Sequence, residues 1–279
     1  MYNATEKILI AATSVLMLTS CGDAKKEKAQ AYIAEAKEQF EMRNYDVALA
    51  TLDSLDINCA SEVEQRREAI RLRPAIMEGK LLREIEAVDS VIAGLMAKTD
   101  QMKGDLEYIK DSFEGYYTAK ELVGKIPAEK SGLYAKMSPD GMLTVISSST
   151  RKALSTGVTL SANGESASTP SVANDGERND RSRGVEIITF MPNECDTLGA
   201  FAAKYADSPI TLTFNGAQSY SMPLDAVQAK SLAKVYAASV VGSKLRNAQL
   251  QKNKFEQQLQ VARSQMARKF EPESTETND

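Results

Sequence analysis

The chain has 279 residues, 43% of them apolar and 26% charged, with 34 Lys plus Arg against 38 Asp plus Glu for a formal charge of -4. That composition suits one or two folded domains and offers no cationic surplus, so nucleic acid is not expected as a partner. There is no His, which excludes Ser-His-Asp, Cys-His and H-E-x-x-H chemistry, and no Trp to join the 10 Tyr and 7 Phe as a sugar platform.

Residues 1–21 read MYNATEKILIAATSVLMLTSC: a polar start with Lys7, an apolar run from Ile8 to Leu18, small residues, then Cys21. This predicts a secretory signal peptide over residues 1–20. The run of 11 residues is about half the ~20 that a bilayer-spanning helix needs. The closing Leu18-Thr19-Ser20-Cys21 resembles the lipobox of bacterial lipoproteins. The resemblance implies cleavage after Ser20, a diacylglycerol on the Cys21 thiol and an acyl chain such as palmitate on the new amino terminus. Several chains on one residue anchor durably, because each buried CH₂ contributes about 0.8 kcal/mol. In that family an Asp after the Cys favours the inner membrane. Gly22 stands there, so the resemblance favours the outer membrane, with the periplasmic or outward face left open. The competing reading is an ordinary secretory signal with a chance Cys. Residues 21–30 are then a lipidated tether.

Cys59 and Cys195 remain, 136 residues apart, in an oxidising compartment where one disulfide can form. Two separate buried thiols is the preferred reading, because a bridge needs Cα atoms within about 7 Å.

From Ala24 to about Phe113 the pattern is helical. The stretch AYIAEAKEQFEMRNYDVALATLDSLDIN resembles one tetratricopeptide motif, with Ala36 and Phe40 on a first helix, Tyr45-Asp46 at the turn, and Ala48, Leu52 and Leu55 on a second. The resemblance implies a helical hairpin over residues 31–75. Its Trp-Leu-Gly opening and closing Pro are missing, and a single repeat cannot bury its own faces. Packing rather than a peptide groove is therefore expected.

Next, Leu81, Ile85, Val88, Ile92, Leu95, Thr99, Met102, Leu106, Ile109 and Phe113 follow one another at alternating spacings of 4 and 3, with only Thr99 departing from apolar character. This is a coiled-coil seam, predicting a stalk helix over 76–113. A strict 3.5 repeat requires a long partner. Ala238, Val241, Leu245, Ala248, Lys252, Phe255, Leu259, Ala262 and Met266 repeat the spacing, predicting a second stalk helix over 224–270. Residues 24–112 carry 14 basic and 18 acidic groups, whereas 224–270 carry 9 basic and 2 acidic, so opposite charge supports an antiparallel pairing within the chain.

Between the seams, residues 114–223 predict an antiparallel β head domain. Strand candidates are Gly132–Met137, Met142–Ser148, Gly157–Ala162, Gly184–Phe190, Ile210–Asn215 and Gln218–Met222. Ser138-Pro139-Asp140-Gly141 and Asn215-Gly216 read as hairpin turns, and Asp196–Ala206 as a short helix with Leu198, Phe201, Ala202 and Tyr205 on one face. Residues 271–279 form an acidic tail expected to be disordered. The fold class is therefore α+β, with a helical hairpin, a long antiparallel coiled-coil stalk and an inserted β domain. The whole resembles the helical-plus-β lipoproteins of the Bacteroidetes type, a class without an assigned activity.

No catalytic constellation is found. Ser147-Ser148-Ser149 has no G-x-S-x-G or S-x-x-K around it, and Glu186, Glu194, Asp196 and Asp207 show no spacing that singles out a pair. No phosphate loop occurs, and no cofactor is expected. The long polar loop Asn163–Arg183 reads as a mobile excursion. Its Asn174, Asp175, Glu177, Arg178 and Asp180 are the candidate partner or ligand contacts, although Ala173 and Ser171 break the alternation that calcium requires, so no metal is expected. The expected function is that of a membrane-anchored, non-enzymatic envelope lipoprotein contacting a protein partner. The alternative is a glycan or small-ligand binder acting through the head loops.

Overall fold

The structure is a computed structural model that describes residues 24–111, 114–182 and 184–268. The signal segment with Cys21, Phe113 and the acidic tail lie outside the described residues. In chain order the elements are α1 (24–41), α2 (Tyr45–Asn58), α3 (Val63–Met102), β1 (Leu106–Ile109), β2 (Tyr116–Ala119), β3 (Gly132–Met137), β4 (Leu143–Ser149), β5 (Ser155–Ala162), β6 (Glu165–Ser168), β7 (Asn179–Asp180), β8 (Glu186–Phe190), α4 (Asp196–Lys204), β9 (Thr211–Gly216), β10 (Tyr220–Pro223) and α5 (Ala226–Ala267). The fold is α+β. The described residues divide into a helical unit, 24–89 with 251–268, and a β unit, 90–250.

In the helical unit, α1, α2 and the start of α3 close around Ile33, Ala36, Tyr45, Ala48, Leu52, Leu55, Ala69 and Ile76. Ala36, Ala48, Leu52 and Leu55, the motif positions, are all fully buried. The third helix supplies the cover that a single hairpin lacks: Ala69 and Ile76 of α3 are also fully buried. Gly79 permits the approach, since a Cβ there would sit 2.6 Å from the Tyr45 ring. Charge fixes the register. Asp53 and Asp56 of α2 meet Arg73 at 2.6 and 2.7 Å, Asp56 meets Arg66 at 3.1 Å, and Asp46 pairs with Lys80. The Lys80 ammonium holds the Asp46 carboxyl below its usual range.

In the same unit α3 and α5 run antiparallel. Glu78 pairs with Arg263 and Asp89 with Lys252, each at 2.7 Å. The partners advance by eleven residues in opposite directions along the two helices, about three turns. Leu81 of α3 and Leu259 and Ala262 of α5 are buried at their seam positions. Lys252, the polar break in the second seam, has its charged form favoured by its hydrogen bond to Asp89.

Three boundaries differ from expectation. The segment 24–30 is helical rather than a tether, and α3 begins at Val63 inside the expected hairpin and runs through Pro74. The first seam stops at Met102: Lys103–Asp105 forms a single 3-10 turn, and Leu106 and Ile109 lie on β1. The 3.5-residue spacing continues past the helix by coincidence, since Leu106 is buried against the β core instead. Met266, at the far end of the other seam, is 39% exposed.

The β unit holds two antiparallel sheets, β1-β2-β3-β4-β8-β7 and β10-β9-β5-β6. Their apolar positions, among them Leu133, Val145, Val158, Leu160, Phe190, Leu212 and Phe214, share one core with Leu198 and Phe201 of α4 and Leu232 and Val235 of α5. Gly199 lets α4 meet the Tyr236 ring of α5. The Ser138–Gly141 turn forms as expected, with Gly141 at φ +85° and its N–H donating to the Ser138 carbonyl at 2.9 Å. The Asn215-Gly216 turn does not: both residues extend β9, and the chain turns at Ala217–Gln218. Gly216 serves close approach, because a Cβ there would overlap the Leu154 carbonyl.

Candidate functional site

The expected contact loop is built into the fold. Asn163 at φ 50° and Gly164 at φ 82° make a two-residue turn that returns the chain as β6 beside β5. Further on, the Asp175 carboxylate accepts the backbone N–H groups of Glu177, Arg178 and Asn179 at 2.8–3.0 Å. Those donors, led by Asn179, lower its pKa. Arg178 sends one guanidinium nitrogen to both Glu194 oxygens at 3.1 Å. Asp180 lies on β7 and accepts the Ser182 hydroxyl at 2.6 Å. Asn174, Asp175 and Glu177 are the exposed members of the five, and Arg178 and Asp180 are half-buried. The loop carries the short strands β6 and β7, and local carboxylate-to-backbone bonds and an ion pair join its distal half.

Beneath it lies a buried polar knot that the sequence did not announce. Asn179 is fully buried and donates to the carbonyls of Ser155 and Val172 at 3.0 and 2.8 Å. Glu186 of β8, 6% exposed, accepts the backbone N–H groups of Leu154 and Ser155 and the Ser155 hydroxyl at 2.8–3.0 Å. Burial alone raises the pKa of Glu186, but those donors and the nearby Arg181 charge outweigh it and leave it lowered. The knot ties β8 of one sheet to β5 of the other. In the serine run, Ser148 and Ser149 are fully buried and donate to the carbonyls of Pro127 and Arg151 at 2.5 and 2.6 Å, whereas the Asp207 side chain is exposed beside Lys230. Cys195 and Cys59 are buried free thiols, one in each unit. Burial pushes the Cys195 thiol up to about 12. Among the described residues no group of three or more Cys, Asp or Glu side chains could hold a metal, and no helix is long and apolar enough to cross a membrane.

What the four-stranded sheet does present is a face of one chemistry. The strand pairing places Ser221, Thr213, Thr159 and Ser168 in one row across all four strands. Thr211, Ser161 and Ser166 form the next row. Alternate residues Leu160, Leu212 and Phe214 turn into the core, so these hydroxyls line the opposite, solvated side. Thr159 and Ser168 share a hydrogen bond of 2.7 Å, Thr213 and Ser221 one of 2.8 Å, and Asn215 donates to Thr159 at 2.8 Å. The two rows contain no charged residue, in a chain where 26% of residues are charged. The strands that carry them lie about 4.8 Å apart, and cross-strand hydroxyls lean together to bond. The alternation in Thr159-x-Ser161, Thr211-x-Thr213 and Ser166-x-Ser168 was the signal available in the sequence. No family model, no curated protein and no solved structure matches the chain.

Proposed function

We propose that the protein is a non-enzymatic lipoprotein of the bacterial envelope, held to the membrane, by preference the outer one, through lipid on Cys21, and that it works by contacting a protein partner. The tethering half of the reading rests on the lipobox-like Leu18-Thr19-Ser20-Cys21 after its short apolar run. The observation that carries the other half is the outer surface of the helical unit. There Ile57, Val63 and Ile70 are 79%, 59% and 48% exposed, and Val63 and Ile70 stand seven residues apart on one side of α3. Exposed apolar side chains spaced along one side of a helix favour a protein interface. The test is cross-linked affinity purification from native envelopes with wild-type protein, Ile57→Glu/Ile70→Glu and Cys21→Ser. Loss of labelled palmitate in Cys21→Ser and loss of one stoichiometric partner in the double variant, with helicity unchanged, are the expected results. A partner retained by the double variant, or none in wild type, overturns the protein-contact reading.

A second reading, glycan binding, is favoured by the hydroxyl face. Amphoteric, uncharged groups suit a neutral polyhydroxyl ligand, with the contact moved from the loop to β5, β6, β9 and β10. Thr159→Lys/Thr213→Lys should abolish any retention on cell-wall polysaccharide. Retention that survives this double substitution counts against the face.

A further inference from the structure

Within the β unit the last turn of α3, the β3–β4 turn and α5 frame a partly open cavity of about 200 Å³. Its wall is mostly apolar, with Met102, Leu106, Tyr117, Met137 and Leu245, while Asp140 and Gln249 are among its polar lining. The space exists because three small residues stand where larger ones would fill it. Thr99 is the one non-apolar position of its seam and spends its hydroxyl on the Leu95 carbonyl at 2.9 Å. Ala238 and Gly242 face the same space from α5. Protein interiors are otherwise packed to crystal density, and a dry cavity of about 150 Å³ already accepts benzene.

Close contacts join the elements that frame it. Gly141 and Gly242 meet backbone to backbone, so that a Cβ on Gly242 would lie 2.7 Å from the Gly141 Cα. The Ser243 hydroxyl donates to the Gly141 carbonyl at 3.1 Å, and Arg246 reaches Asp140 at 3.2 Å. Two cations, Arg246 and Lys103, line the cavity beside the apolar wall. Each has an acidic neighbour, Asp140 or Asp100, yet keeps further N–H donors. The wider cleft by Tyr134 differs in charge, since three carboxylates, Glu121, Glu129 and Asp225, line it beside Lys125 and Lys130.

We propose that this cavity binds a medium-chain carboxylate. The chain lies against Met102, Met137 and Leu245, the methionines adapting to its shape, and the carboxylate meets Arg246 and Lys103. This site is independent of the protein contact proposed above.

The test is calorimetric titration of the full-length chain with octanoate and with octanol. Wild type should bind octanoate saturably at one site and octanol about tenfold more weakly, the loss of one charged hydrogen bond. Arg246→Gln should erase most of that preference while leaving octanol unchanged. Thr99→Leu should fill the cavity, raise the melting temperature and weaken both ligands tenfold or more; if it fails to fold, Ala238→Val fills the same space. No saturable octanoate binding by wild type, or full affinity retained in a folded filled variant, overturns the proposal. An unchanged preference in Arg246→Gln overturns the assignment of the head group.

Discussion

Both units carry surface ion pairs, but among the described residues the β unit alone adds a buried carboxylate. In the helical unit the ion pairs lie at the surface: Asp53 and Arg73, Glu78 and Arg263, Asp89 and Lys252 are all partly exposed. Such pairs set register and direction while apolar burial supplies the stability. In the β unit the decisive carboxylate is inside. Glu186 is 6% exposed and satisfied by three donors, and Asn179 beside it is fully buried. Surface charge can be rearranged at little cost, whereas an interior charge must be matched group by group. The contrast explains why the helical unit tolerates a lysine in its seam while the β unit turns three donors of Leu154 and Ser155 onto Glu186.

Substitutions sharpen this contrast in descending order of effect. Phe190→Ala empties the centre of the β core and should destabilise by about 3–5 kcal/mol. Leu52→Ala should cost the helical unit about 2–5 kcal/mol, so core loss alone does not separate the two units. Both are read from urea midpoints. Glu186→Gln does separate them: it sets an amide donor against backbone donors and should cost about 1–3 kcal/mol. Its pH signature follows from the lowered pKa of Glu186. The stabilisation is complete above the usual glutamate range and is lost as pH falls through the folded-state value. Wild type should therefore lose stability on acidification more steeply than Glu186→Gln, and equal slopes would break the argument.

Glycines offer a finer test. Gly242→Ala forces two backbones apart and should cost about 1–3 kcal/mol. Gly94→Ala, with no atom within 4 Å of the added carbon, should instead stabilise α3 by up to about 1 kcal/mol. Thermal melts of the pair should move in opposite directions. The smallest effect belongs to Lys252→Ala, about 0.2–1 kcal/mol and smaller still at high salt.

The helical seams and most strands were legible because their periodicities record which side is buried. Gly132–Met137 of β3 matches its expected span, and Asp196 opens α4 as read. Errors arose where one signal had two physical meanings. Spacing could not tell that Leu106 and Ile109 continue a pattern after their helix has ended, because a four-residue strand can supply apolar residues at the same intervals. Asn-Gly occurs twice. At Asn163-Gly164 both residues adopt positive φ and turn the chain, while at Asn215-Gly216 the glycine makes room for a neighbouring strand. The loop candidates Asp175, Arg178 and Asp180 looked free because polar composition marks solvent and internal hydrogen bonding alike. The knot of Asn179 and Glu186 was illegible because its partners, the Ser155 hydroxyl apart, are backbone groups, which every residue carries.

The edges of the four-stranded sheet have a consequence for the protein at high concentration. One outer strand, β10, ends in Pro223, which has no N–H to offer, and the other, β6, opens with Glu165 bound to Lys204 at 2.6 Å. A flat uncharged sheet with bare edges is a template for fibril growth. Here a proline and a charge close those edges, so the hydroxyl face can stay uncharged without recruiting further copies into a fibre.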